Sequence, residues 1–552
     1  MAVARKRKSP VANGAAPPQK SKGKSRKSRK RKPVSEKLNP KEQKQQQRQK
    51  LKARQAFIAA LTPSLAIGII LGALAAIAID PKIGIVAGAA IPVLSLSFKY
   101  PRQALWAFLI YLPINGTVTY ALGGNAILQL AKDGFYVPAL IGIWQSCRQN
   151  RVPFWANPKL QPTLLLLLGC CLMTLLFVNG LQQFKKPFPE DKSPFALGLL
   201  GLKVFMGYIP LIFCMYHLIR DRKDLLFATR VNSVMAIICC GLAYIQYYFL
   251  LTGRCIGTDH LEGSDLFKAT IDARCFVGGS LVWSPSQNMV RLPGTFVAPW
   301  QWAWYLISTA FLTYTTAFND PSPLWRLVGL GALGGVFLNA VISGQRIALV
   351  LVPIVTITLL ILTGQVTNLK RFLPIGTGLV LLLVGGAILF PDILQERIDS
   401  FTSRWEASPA DEFIGEQFGF VIKKAQENFL GAGLGRATNS ARIFGQTALI
   451  ETWFPKIIWE IGFPGFLAFL AFVTAITVTT FKAYRSIKEK NLRGIGASYW
   501  VFVLFISYQT YYYPLDVDPV AVYYWYAIGI LLRLPEIDRA DRKQQLLEAK
   551  SV

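Results

Sequence analysis

The chain has 552 residues, 52 % of them hydrophobic and only 16 % charged, with a formal net charge of +30. Soluble domains carry roughly 25 % charged residues. The apolar residues also come in blocks of membrane-crossing length, which excludes an ordinary soluble enzyme. Most of the positive charge sits in one tail, which excludes a folded basic surface of the kind that binds nucleic acid.

Residues 1–54 hold 20 Lys or Arg against Glu36 and Glu42. Two readings of this tail stand. In the first it is disordered, sets topology by the positive-inside rule and leans on anionic lipid at ~1 kcal/mol per basic residue. In the second it docks a partner or nucleic acid, and nothing aromatic or Gly-rich in it supports that. The first is adopted: a disordered basic cytoplasmic tail, with no nucleic-acid partner. The first apolar stretch begins beyond residue 50 and is a full span long, so it is expected to stay in the membrane rather than be cleaved.

Apolar runs predict helices near residues 56–79, 83–98, 103–121, 134–147, 162–179, 196–219, 229–251, 299–317, 325–342, 347–364, 373–390, 457–482, 496–513 and 519–533. The runs are apolar on every side, whereas barrel strands alternate. The expected fold is therefore all-α: a polytopic membrane protein with about 12–14 transmembrane helices and a large extracytoplasmic loop. Its parts are the tail 1–54, a bundle over 55–390 with an outer loop at 252–298, a large periplasmic loop at 391–456, C-terminal spans over 457–534 and a cytoplasmic tail at 535–552.

Orientation follows from charge. With the N-terminal tail inside, the inner turns contain Lys99 and Arg102, Arg148 and Arg151, residues 220–223, Lys370 and Arg371, and residues 482–493, all basic as required. Both termini are then cytoplasmic, in the inner (plasma) membrane. Residues 409–429 mix Glu, Lys and Gln with apolar positions, which predicts a helix inside the second outer loop.

Of eight cysteines, five lie within apolar spans and Cys147 at a span end, the ordinary place for small buried side chains. Cys255 and Cys275 share the first outer loop, where pairing or two free thiols are both open. No CxxC, no Cys/His cluster, no P-loop, no GxSxG and no HExxH occurs, so no metal and no cofactor is expected. His217 reads as a helix-end residue and His260 as a solvated loop residue.

Three stretches at the outer face carry charge beside spans, where an uncompensated charge is costly. The first runs Arg291-Leu-Pro-Gly294-Thr-Phe296-Val-Ala-Pro299 into a span. The second, Ser343-Gly-Gln-Arg346, is a turn between two spans too short to leave the membrane surface. The third runs from Arg404-Trp405 through Asn428-Phe-Leu-Gly431-Ala-Gly433-Leu-Gly435 to Glu451 and Trp459-Glu460-Ile-Gly462-Phe-Pro-Gly465.

In order and sidedness these stretches resemble the O-antigen ligase and polymerase superfamily, polytopic proteins that join lipid-linked oligosaccharides beyond the membrane. The resemblance covers residues 285–485 by motif and the upstream half by general pattern. Within it, the long basic tail and a motif without histidine most resemble proteins of hormogonium polysaccharide biosynthesis in filamentous cyanobacteria. It implies a polyprenyl-pyrophosphate-linked oligosaccharide as substrate, with membrane lipid and other polysaccharide assembly proteins as partners. It also implies that Arg291, Arg346 and, less directly, Arg404 hold the pyrophosphate, since guanidinium groups grip its oxygens bidentately and stabilise leaving-group charge.

Where the superfamily carries a histidine, this chain has Glu451, a carboxylate able to accept the acceptor hydroxyl's proton. Other readings stay open. Arg291 and Arg346 also suit interfacial anchors, Glu451 a surface carboxylate or the partner of an arginine. Arg436 and Arg442 suit a solvated loop face. Asp516 and Asp518 could serve in place of Glu451 as well, and Asp518 reads more simply as the N-cap of a helix whose first residue is Pro519. The aromatics 511–513 and 523–526 with Trp300, Trp302 and Trp304 read as an interfacial belt, or else as sugar-stacking platforms. At the level of the whole chain, a flippase or exporter of lipid-linked sugars and a non-catalytic assembly component remain alternatives to the glycosyl-transfer enzyme. A transporter would show ionisable residues or broken helices within its spans.

Overall fold

The structure, a computed structural model, describes residues 40–550 apart from 125–127, 129–130, 156, 268, 285–288, 426–427 and most of 366–408. The chain divides into two units, residues 1–60 and 61–552. The first is described only over the start of helix α1 (Pro40–Ala78), which continues into the second.

The chain is an all-α polytopic membrane protein. After α1 come α2 (Pro81–Lys99), α3 (Pro101–Tyr111), α4 (Asn115–Ala121), α5 (Asp133–Gln149), α6 (Gln161–Thr174), α7 (Gly180–Lys185), α8 (Pro194–Met206), α9 (Leu211–Leu218) and α10 (Arg222–Leu251). The second half supplies α11 (Pro299–Asn319), α12 (Pro323–Ile342), α13 (Arg346–Leu362), α14 (Ala410–Ala425), α15 (Trp453–Arg485), α16 (Lys490–Tyr508) and α17 (Val520–Lys550). Helices stand at every position where a span is expected except 373–390, which lies outside the described residues. The helix expected within 409–429 is α14.

Among the described residues, eight helical segments are long and apolar enough to cross a membrane: Arg54–Ala78, Pro101–Ala121, Pro158–Lys185, Pro194–Leu218, Arg222–Leu251, Pro323–Ile342, Trp453–Arg485 and Val520–Lys550. Ile83–Lys99 and Arg346–Leu362 are shorter apolar helices. Six helices open on a proline, at Pro40, Pro81, Pro101, Pro194, Pro299 and Pro323. A proline there loses nothing, because the first N–H of a helix has no intrahelical acceptor. Several of these spans are interrupted, and two of the breaks lie at the second loop. α6 passes through a π turn, Leu175–Asn179, into α7, and α15 breaks at Gly462, whose φ of 70° is left-handed.

α11 is the centre of the bundle. It packs on α10, α12, α13, α16 and α17, and 18 of its 21 residues are buried. Its hydroxyls turn back on the helix: Ser308 donates to the Trp304 carbonyl, Thr309 to Tyr305 and Thr313 to Thr309. Such back-bonding satisfies these hydroxyls and lets a polar helix sit inside an apolar bundle. The outer face of α1 shows the opposite pattern, with Ile69, Ile70 and Ile77 exposed as lipid-facing residues are.

The only strands among the described residues are two of three residues each in the loop at 252–298, called the first outer loop after its expected side, β1 (Val282–Ser284) and β2 (Met289–Arg291), paired antiparallel with Val282 opposite Arg291. The second outer loop has a small core of its own, in which Val421 of α14 meets Ala437, Ile450 and Ile458.

Candidate functional site

The first outer loop is tied down where it meets the bundle. Cys255 and Cys275 are joined by a disulfide. The buried Gln246 of α10 donates to the carbonyls of Cys275 and Gly278, and Arg274 donates to the carbonyl of Tyr120. The motif Arg291 to Pro299 then folds back over α4. Thr117 N–H donates to the Thr295 carbonyl at 3.1 Å, and a Cβ on Gly116 would lie 2.1 Å from the Phe296 carbonyl carbon. Gly294 takes a φ of +56° against the Trp302 ring, 2.4 Å from where a side chain would begin, so no other residue fits there.

This folding brings the two leading arginines onto neighbouring strands of chain. Leu292 N–H donates to the Ser343 carbonyl at 3.0 Å, which fastens the segment after Arg291 to the turn before Arg346. Both arginines are half-buried. Arg404 lies outside the described residues.

The second outer loop docks through its glycines. Ala432 N–H donates to the Trp459 carbonyl at 2.7 Å, seating the loop on the helix just before the break at Gly462, where a Cβ would lie 2.0 Å from the Phe429 carbonyl oxygen. From the other side the interrupted α6–α7 span grips it. Asn179, in the π turn, accepts from Leu434 N–H and donates to the Leu434 carbonyl, while Gln182 donates to the Ala432 carbonyl. A π turn pushes one residue out of the helical ladder, and here that residue serves a recognised polar contact.

Arg436 is the keystone of this docking and not a solvated loop residue. Its guanidinium bonds both carboxylate oxygens of Asp191, at 2.9 and 2.8 Å, and Gln182 Oε1, and neither ion of the pair is more than 3 % exposed. Burial raises the Asp191 carboxyl, but the hydrogen bonds and charge of Arg436, with the N–H of Gln446, outweigh it and hold the group below its ordinary range. Below Arg436, the buried Glu460 carboxylate accepts from Ala437 N–H at 2.8 Å and from the Thr438 hydroxyl at 3.0 Å.

Glu451 lies where the loop re-enters α15, half-buried, with its N–H donating to Gln417 Oε1 of α14. Thr452 bridges to Tyr511 and Tyr512, and Trp453 N–H donates to the Thr510 carbonyl, so the turn 509–519 is laid beside Glu451. Burial, then the charges of Glu451 and Asp516, push the Tyr513 phenol above its ordinary value. Asn439 donates to that phenol oxygen, and Lys456, ion-paired with Asp516, lies over the ring at 5.4 Å.

Three lysines and three aspartates assemble here from distant parts of the chain: Lys456 with Asp516, Lys132 with Asp518 at 2.8 Å, and Lys203 with Asp133 at 2.7 Å. Tyr208 also donates to Asp133. Asp518 is therefore an ion-pair partner, and α17 starts at Val520 rather than at Pro519, which corrects the N-cap reading. The lysines are the residues that sequence reasoning passed over. Lys456 near the start of its span and Lys203 inside the span Pro194–Leu218 are ionisable groups in apolar surroundings, a signal that points to a buried partner.

The aromatic expectation is corrected as well. Tyr523, Tyr524, Trp525, Tyr526, Trp302 and Trp304 are all buried in the bundle, none above 3 % exposed, so they are neither an interfacial belt nor open sugar platforms. Tyr523 and Trp525 point to opposite sides of α17, two positions apart on a helix. One meets Tyr305 of α11 and the other Phe472 of α15, at centroid distances of 6.3 and 6.0 Å. Arg291 and Arg346 thus stand on the α11 side of this end of the bundle, and Glu451 on the α15 side. Trp300, Tyr511, Tyr512 and Tyr513 remain at the surface, half-buried.

No protein-family model matches this sequence, and no curated protein is recognisably similar to it.

Proposed function

We propose that the chain is a membrane glycosyl-transfer enzyme that joins polyprenyl-pyrophosphate-linked oligosaccharides in surface or exopolysaccharide synthesis, at the extracytoplasmic face of the plasma (inner) membrane. The observation that carries the reading is the Leu292 to Ser343 hydrogen bond, which sets the Arg291 and Arg346 segments side by side at one end of the bundle. The disulfide in the same region suits an oxidising compartment. The basic turns at the other end suit the cytoplasm, with both termini there.

In the reaction, an acceptor hydroxyl oxygen bonds to the anomeric carbon as the bond from that carbon to the pyrophosphate oxygen breaks. The electron pair leaves with polyprenyl pyrophosphate, whose charge Arg291 and Arg346 stabilise, and the hydroxyl proton passes to the Glu451 carboxylate. Removing one such charge stabiliser costs about 10²- to 10³-fold in rate.

The test is reconstitution of purified protein in liposomes with a polyprenyl-pyrophosphate oligosaccharide, products being resolved by chain length. Wild type lengthens the chains, whereas Arg346→Ala and Glu451→Ala, at equal protein level, do not. Normal polymer from Arg346→Ala refutes the assignment. The interruptions at Leu175–Asn179 and Gly462 favour a second reading, a transporter of lipid-linked sugars. Movement of labelled substrate across the bilayer without elongation selects it.

A further inference from the structure

A cavity of about 530 Å³ opens at the other end of the bundle, among the ends of α11, α13 and α15 and the start of α16. α13 begins at Arg346, and Arg291 and Glu451 precede α11 and α15 by a few residues, so α11, at 1.5 Å per residue, separates the two regions by roughly 30 Å. Five cations line the cavity, Arg326, Arg485, Lys488, Lys490 and Arg493, and no carboxylate does.

Basic residues at this end are expected from topology alone. Topology does not require them to enclose a cavity, and it does not explain Asn319. That residue, 4 % exposed, lines the cavity with its Nδ2 buried and without a hydrogen-bond partner, while its Oδ1 lies against Gly494. Buried donors are nearly always satisfied, and an orphan marks a missing acceptor. Among the described residues none meets it. Glu489 is occupied by Leu492 N–H and Arg222, and Asp320 is held in two hydrogen bonds by Arg230. Among the described residues no carboxylate pairs with Arg485, Lys488, Lys490 or Arg493.

The complementary ligand is an anion with several acceptor oxygens, which is the chemistry of phosphate. The mouth is skirted by apolar side chains, with Leu324, Leu327, Ile361 and Leu362 each more than half exposed. A phosphate entering from the membrane would leave acyl chains on that skirt.

We propose that this cavity binds the phosphate groups of an anionic phospholipid headgroup at the membrane face opposite Arg291 and Arg346. The site does not depend on which reaction the other face performs.

Full-length protein in detergent is titrated with cardiolipin, with phosphatidylcholine and with inorganic pyrophosphate, and bound species are weighed by native mass spectrometry. Cardiolipin is retained in preference to phosphatidylcholine, and Arg485→Gln with Arg493→Gln weakens it by at least about tenfold. Asn319→Leu, which keeps every cation, weakens it by a few fold and serves where the double variant fails to fold. An excess of pyrophosphate leaves the lipid in place. Displacement by equimolar pyrophosphate would assign the site to a soluble phosphate and overturn the lipid assignment. Equal retention of both lipids, or affinity unchanged in the variants, overturns the proposal altogether.

Discussion

The two outer loops are fastened to the same bundle by different physics. The first, residues 252–298, is closed on itself by the disulfide Cys255–Cys275 and held by neutral hydrogen bonds from Gln246. The second is held by a buried ion pair, Arg436 with Asp191, whose partners are 245 residues apart in sequence. A covalent clasp acts within one segment and survives acid. An ion pair can recruit a distant element, at the expense of dependence on charge state.

Arg436→Ala separates the two modes most sharply. It leaves the Asp191 carboxylate buried without its cation, and breaking such a pair costs about 3–5 kcal/mol. The variant is expected to lose the folded state or melt far below wild type, while the 255–275 disulfide still forms when assayed by thiol labelling. The same pair carries a pH signature. Because the folded Asp191 pKa is depressed, its contribution is complete above the unfolded value of about 3.9 and is lost as pH falls through the folded value. Thermal melts down to pH 3 should show this acid loss in wild type and a smaller one in Asp191→Asn.

Reduction, or Cys255→Ser, should release only the first loop. The bond joins residues 20 apart, and closing a loop of that size is worth about 3 kcal/mol. Proteolysis is expected to cut within 256–274 and to spare 431–450. Equal cutting in both would merge the loops into one cooperative unit. A milder probe of the second loop is Gly462→Ala, which combines a left-handed φ with a contact of 2.0 Å to the Phe429 carbonyl, for about 1–3 kcal/mol. Gln246→Ala is the smallest change, about 1 kcal/mol, read as faster amide exchange near Cys275 and Gly278.

The spans were legible because a bilayer imposes length and apolarity on each one separately. α14 was legible from its amphipathic mix of residues. What hydropathy does not separate is lipid-facing from bundle-facing surface, since both are apolar. That is why Tyr523 to Tyr526, Trp302 and Trp304 read as a belt when they are core. Pairings across the chain were equally hidden. Nothing local to Arg436 points to Asp191, and nothing local to Lys132 points to Asp518, because partners at such separations are chosen by the packing of helices. At the candidate site the motifs marked which segments would meet. The placement of Glu451 beside the turn 509–519 emerges only in three dimensions.

The burial of α11 bears on how the protein is made. This helix carries Ser308, Thr309, Thr313, Thr315 and Thr316 and is not among the segments apolar enough to cross a membrane by themselves, yet α10, α12, α13, α16 and α17 all pack on it. A segment like that gains little from lipid alone. Its partition into the bilayer is driven by neighbours already there, α10 before it and α12 emerging after it, which offer packing and accept the Thr316 hydroxyl at the Thr229 carbonyl. Biogenesis then has a committed step. A nascent chain halted after α11 holds a polar helix with four of its five partners missing, and only synthesis of α12, α13, α16 and α17 converts that exposed intermediate into the sealed centre of the molecule.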